Sequence, residues 1–370
     1  SIAIGFHALA TANTGELSNI AIGSYALTAE TSGADGCVAV GFNALANQNR
    51  DDSRNTAIGY KALVNLQATA GSAYGGKHNT AVGWQAGGNG VFGGTDGQGG
   101  HNTLLGYNAG YSTTTGQNNL IAGSRAGESL TTGDSNVLLG HLAGINLTVG
   151  EMNIAIGHNA LGAEASGADG CVAIGHEALL SQNRDASANT AIGYQSLNAL
   201  GGSVTYGGIQ NTAVGYQAGG SGAFGGGSDG NGNNNTMLGY RSGYAVTTGN
   251  TNILIGGFAG TALNTGYRNL MAGYKAGEAM TDNQNNVVLG YRAMDAATGG
   301  EHNNIAIGSN ALGTENGNAT YCVAIGDSAL ALSAGGVRNT AIGGLAGAEL
   351  VGGTDNTLVG YQAGNQLDAN

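Results

Sequence analysis

The chain has 370 residues with 72 Gly, no Pro, 9 % charged residues and a net charge of −12. The absence of Pro and of a Gly-x-y period excludes collagen, and only 11 Lys and Arg leave too little positive surface to neutralise a nucleic-acid backbone. No apolar run reaches the length of a membrane helix, no basic-then-apolar leader opens the chain, and an apolar content of 41 % argues against disorder if the apolar residues are regularly placed.

They are regularly placed. Twenty units follow one another, each centred on an Ala-Ile-Gly or a near variant, anchored at Gly5, Gly23, Gly41, Gly59, Gly83, Gly106, Gly123, Gly140, Gly157 and Gly175, then at Gly193, Gly215, Gly239, Gly256, Gly273, Gly290, Gly308, Gly326, Gly343 and Gly360. Fifteen of the nineteen spacings are 17 or 18 residues; the other four, around Gly83 and Gly215, are 22 to 24. A period this short fits one rung of a β-solenoid. The units group into superrepeats at about 19–152 and 153–303, with a partial third copy at 304–370. The second copy carries one extra unit, around Gly256. Whole-unit insertion is what a stacked array tolerates, because each rung contacts only its neighbours. The expected fold is therefore all-β: one parallel β-solenoid domain over 1–370, of about twenty rungs of 17–24 residues. At one ladder spacing per rung it would be a rod on the order of 95 Å long.

Slots are counted from the anchor Gly as zero. Slot −4 is Asn in sixteen units, among them Asn55, Asn79, Asn102, Asn189, Asn211 and Asn339. Asn tolerates left-handed backbone, and its stacked side chains predict an amide ladder. Slot −3 is Ile, Val, Leu or Thr, and slot −1 is Ile, Val or Leu in eighteen units, the period-two pattern of one strand face. Ala122 and Ala272 break slot −1 beside an enlarged slot −2, Ile121 and Met271, which reads as volume restored next door. Slot −2 is mostly Ala, slot 0 always Gly, and slot +3 Ala in eighteen units. A strand apolar on both faces is covered on both. We therefore expect the larger face to fill the rung's own core and the small Ala and Gly face to meet another chain, most simply in a homotrimer. A left-handed hexapeptide β-helix is the alternative coil, although the returns lack its further aliphatic positions.

The units Asn55-Thr56-Ala57-Ile58-Gly59-Tyr60-Lys61-Ala62-Leu63 and Asn211-Thr212-Ala213-Val214-Gly215-Tyr216-Gln217-Ala218-Gly219 resemble the repeats of phage tail-fibre-type proteins. They are also similar to the head repeats of trimeric autotransporter adhesins, whose units are shorter. Both resemblances imply extracellular, trimeric β-rolls that attach a virion or a bacterial cell to a surface, through a glycan or protein receptor, without catalysis. A self-assembling extracellular filament or tube and an ice-binding solenoid are the other readings. The chain opens at Ser1 within a repeat, as a segment of a longer protein does.

Four longer returns carry Tyr74, Phe92, Tyr206 and Phe224 flanked by polar or glycine-rich sequence. Long loops on a rigid scaffold are where binding tends to reside, so these aromatics are the candidate receptor contacts. His141, His158 and His176 occupy slot +1 of three consecutive units, which places them one above another as weak candidates for a transition metal or a pH response. Cys37, Cys171 and Cys322 replace Asn at slot −4, too far apart for a disulfide within one chain; an interchain bond needs that slot to face a threefold axis. No phosphate loop, nucleophile elbow or zinc-ligand spacing occurs, and no cofactor is expected.

Overall fold

The computed structural model describes residues 1–11, 18–28, 35–47, 53–66, 76–90, 98–163, 167–181, 188–199, 208–220, 232–313, 319–333 and 335–366. The chain divides into two compact units, Ser1–Ser187 and Ala188–Asn370. The first carries ten strands, from β1 (Ile2–Ile4) to β10 (Val172–Ile174); the second carries ten more, from β11 (Thr190–Ile192) to β20 (Thr357–Val359). Within each unit every strand pairs in parallel with the next in sequence, equal slots opposite one another. In the first unit Ala39 faces Ala57 and Leu104 faces Ile121; in the second Met237 faces Leu254 and Ala306 faces Ala324. One strand per repeat, each stacked on the next, is a parallel β-solenoid. On some returns a second ladder of isolated parallel bridges links Gln284, His302, Thr320, Val337 and Thr354. Among the described residues no helix is long and apolar enough to cross a membrane.

Each strand is three residues long because the anchor Gly ends it. These glycines have φ between +127° and +143°, a conformation that side chains rarely adopt. Space imposes the same choice: a Cβ on Gly123 would lie 2.3 Å from the carbonyl oxygen of Gly140 in the next rung. The turn that follows alternates in handedness, as at Lys61 (φ 53°) and Leu63 (φ 46°). Its amides consequently point alternately backward and forward along the stack, Lys61 N–H donating to Phe42 O at 2.8 Å and Leu63 N–H to Ala86 O at 3.0 Å. Neighbours on both sides thus hold backbone that would be unfavourable in isolation.

The structure reverses the expected assignment of faces. Away from the terminal rungs, Ala at slots −2 and +3 lies inside the coil, Ala57 and Ala62 with no exposed surface, while Ile58 at slot −1 is 40 % exposed. The crowding that demands Gly at slot 0 is between successive rungs of the one chain. Ile121 and Met271 point inward and Ala122 and Ala272 outward, so neither pair exchanges volume.

The exchange that does occur is between slots −2 and +4. Where slot −2 is Ala, slot +4 is usually a buried Leu, as in Ala39 with Leu45 and Ala155 with Leu161. Where slot −2 is large, slot +4 is usually Gly: a Cβ on Gly110 would meet Leu104 Cδ2 at 2.7 Å, and one on Gly243 would meet Met237 Sδ at 2.7 Å. Rungs small at both slots mark changeovers. The space at Gly219 is approached by Leu197 from one rung and Met237 from the other, at 2.7 Å and 3.2 Å from its notional Cβ. The core is close-packed by moving one aliphatic side chain between two positions.

Candidate functional site

Outward from each strand stand three columns, slots −3, −1 and +1, which share a face by the alternation of strand side chains. Slots −3 and −1 supply Thr and aliphatics, half-buried to exposed throughout; Ile253 is 43 % exposed and Ile255 40 %. Slot +1 adds rings. In the first unit Phe42 stacks on Tyr60 with centroids 5.5 Å apart, and Tyr60 on Trp84 at 4.1 Å. In the second unit Tyr194, Tyr216 and Tyr240 stack at 5.0 and 5.3 Å, and Tyr274 stacks on Tyr291 at 5.8 Å. Where slot +1 lacks a ring, slot +2 can supply one. Gly257 is followed by Phe258, whose ring packs edge-on against Tyr240 and Tyr274; Ser24 is followed by Tyr25, which packs against Phe6 and Phe42.

On the polar flank of this face three cations carry a local counter-charge. Arg125 pairs with Glu128 at 2.6 Å, Lys275 with Glu278 at 2.9 Å and Arg292 with Asp295 at 2.6 Å, each three residues on. Hydrogen bonding to Glu278 and Asp295 raises the pKa of Lys275 and of Arg292. These exposed pairs contribute little to stability, but they cancel charge beside an apolar surface.

The slot −4 residues lie inside the coil. Asn55 Oδ1 accepts from Asn79 N–H at 2.7 Å, and Asn79 Oδ1 from Asn102 N–H at 2.9 Å. Asn55 Nδ2 donates to Gly76 O at 2.9 Å and Asn102 Nδ2 to Gly116 O at 2.8 Å. In the second unit Asn189 Oδ1 accepts from Asn211 N–H at 2.8 Å, and Asn339 Oδ1 from Asn356 N–H at 3.0 Å. Each amide therefore joins the strand entrance of its own rung to the entrance and the return of the next, satisfying buried backbone groups. The column is structural. Cys37, Cys171 and Cys322 occupy the same interior positions, fully buried and outside any disulfide, so slot −4 faces the coil's own interior and presents no surface thiol for an interchain bond.

Tyr74, Phe92, Tyr206 and Phe224 lie outside the described residues. His141, His158 and His176 are exposed and stacked, with ring centroids 5.1 and 4.9 Å apart. The outer ring column was missed in the sequence, where slot +1 reads as a surface-like mixture. Its signal was vertical: rings recur at that slot in successive repeats. No protein-family model and no curated protein matches the chain.

Proposed function

We propose that the protein is a non-catalytic fibrous scaffold that self-associates through its outward aliphatic and aromatic face, as a homotrimer, and serves attachment at the surface of a virion or bacterial cell. The observation that carries this reading is the continuous column of half-exposed Ile, Val, Leu and ring side chains on the outer strand face of each unit. Contiguous apolar surface on this scale marks an interaction site, and closed cyclic symmetry is the usual way for identical chains to cover it. Three copies, extracellular placement and a surface glycan or protein receptor rest on the resemblance to tail-fibre and adhesin repeats.

Native mass measurement tests the association. The chain should run as a discrete species of three copies, and Ile58→Lys combined with Ile255→Lys should yield a folded single chain. A wild-type chain already monomeric, or a mass unchanged by these substitutions, would refute association through this face. Unbounded species lost with the same substitutions would keep the face and replace the closed trimer with a filament.

A further inference from the structure

We propose that His141, His158 and His176 form a binding site for a first-row divalent transition ion of the imidazole-preferring kind, Cu²⁺ above all, held by two neighbouring rings of the run with water completing the coordination.

The solenoid delivers the three side chains at the same slot of successive rungs, stacked at 5.1 and 4.9 Å between centroids. Their backbones are fixed: the strands ending just before them pair in register, Leu139 opposite Ile156 and Ile156 opposite Ile174. The rings are exposed on the single chain, in the outermost of the three columns and on a stretch that carries no Phe, Tyr or Trp at slot +1, so the aliphatic columns can associate without covering them and rotation about their side-chain bonds stays little hindered. Among the described residues no three His, Cys, Asp or Glu side chains are already disposed to hold an ion. The site is consequently a pair of imidazoles that turn toward one ion, with His158 common to both possible pairs. The Glu177 carboxylate, 3.8 Å from His176 Nδ1, favours a cation there. Imidazole nitrogens suit Cu²⁺, Ni²⁺ and Zn²⁺, of which Cu²⁺ binds a given nitrogen site most tightly.

The internal duplication shows that the run is particular to this place. The superrepeats align His158 with Ser24 and Ser309, His176 with Phe42 and Asp327, and His141 with Tyr291. Three adjacent rungs thus each carry His where their counterparts carry different residues. A slot tolerant of any surface residue does not require such a run, whereas a chelate between neighbours does.

The test is Cu²⁺ titration of the full chain followed by electron paramagnetic resonance. The background is His78→Asn with His101→Asn, which removes another close imidazole pair, with centroids 4.8 Å apart. The expected spectrum shows hyperfine splitting from two imidazole nitrogens. His158→Asn should weaken binding by at least about tenfold, because the second ligand of a chelate acts at high effective concentration, while His141→Asn should leave the lower pair binding. Circular dichroism confirms that each variant keeps its fold. Absence of nitrogen splitting, or equal affinity in His158→Asn, overturns the proposal. Neither result bears on the oligomeric state.

Discussion

Moving a single aliphatic side chain between slots −2 and +4 is the most exacting test of how this coil is packed. Leu138 is fully buried, so Leu138→Ala should cost about 2–5 kcal/mol through lost transfer energy and the cavity left behind. Gly144 lies across the same space with φ +58°, and a Cβ there would meet Leu138 Cδ2 and Cδ1 at 3.0 and 3.1 Å. Gly144→Leu alone should therefore cost about 1–3 kcal/mol by overpacking, with roughly a further 1–2 kcal/mol for the left-handed backbone. Together the two substitutions recreate the arrangement of the next rung, Ala155 with Leu161 at φ 52°. The cavity and the overpacking then cancel, and the double variant should lose little beyond the backbone penalty. The coupling energy should be at least about 3 kcal/mol, at or beyond the upper end of the roughly 0.5–3 kcal/mol seen between contacting residues. A four-member urea denaturation series measures it, with hydrogen exchange of the 120–165 segment to catch local melting, which repeat arrays allow. Additivity within about 0.5 kcal/mol would show that the two slots do not share one space.

Other perturbations address separate features. Gly123→Ala places a Cβ 2.3 Å from Gly140 O, whereas at Gly170, also of positive φ, nothing lies within 4 Å. The first should cost about 3 kcal/mol or more and the second about 1–2 kcal/mol, and equal thermal shifts would contradict a rung-to-rung clash. Thr113 is buried with an unpartnered Oγ1, so the near-isosteric Thr113→Val should raise stability by about 1 kcal/mol, read from the denaturation midpoint. Arg338 donates to Asp355 from Nε at 2.6 Å and from its terminal nitrogen at 2.8 Å, and that hydrogen bonding lowers the pKa of Asp355. A lowered carboxylate contributes stability above its unfolded value of about 3.9 that is lost as pH falls through the folded value. Arg338→Gln should therefore lower the melting temperature slightly at neutral pH and not at all in strong acid, with the difference shrinking as salt rises.

The period, the placement of the strands and the amide column were legible because each is a one-dimensional signal: Asn102 and Asn119 carry their role in their spacing. The inward face was not legible. Ala57 is flanked by Thr56 and Ile58, so either parity could have filled the core, and the decision rests on how closely one Gly backbone rides on the next. That distance belongs to the stack and leaves no mark within a single repeat. The exchange between Leu104 and Gly110 spans six residues of one rung and was open to a comparison across repeats. So was the substitution of Phe258 for a ring missing at Gly257. The aromatics chosen from the long returns stood out by local contrast, a criterion blind to columns such as Tyr194, Tyr216 and Tyr240.

The column of buried amides has a direction, since every Oδ1 accepts from the rung that follows. Such a relay polarises its members cooperatively, and it runs unbroken from Asn55 to Asn153 in the first unit and from Asn189 to Asn304 in the second. Cys171 and Cys322 each donate their N–H to the Oδ1 of the preceding Asn, and the thiol in that slot is a far weaker acceptor than an amide oxygen; Cys322 Sγ donates instead to Gly336 O at 3.3 Å. Cys37 and Cys171 in the first unit and Cys322 in the second thus act as insulators that bound the relay within each unit. On heating, amide exchange should open first at those rungs within each unit, as seams set at fixed places in the stack.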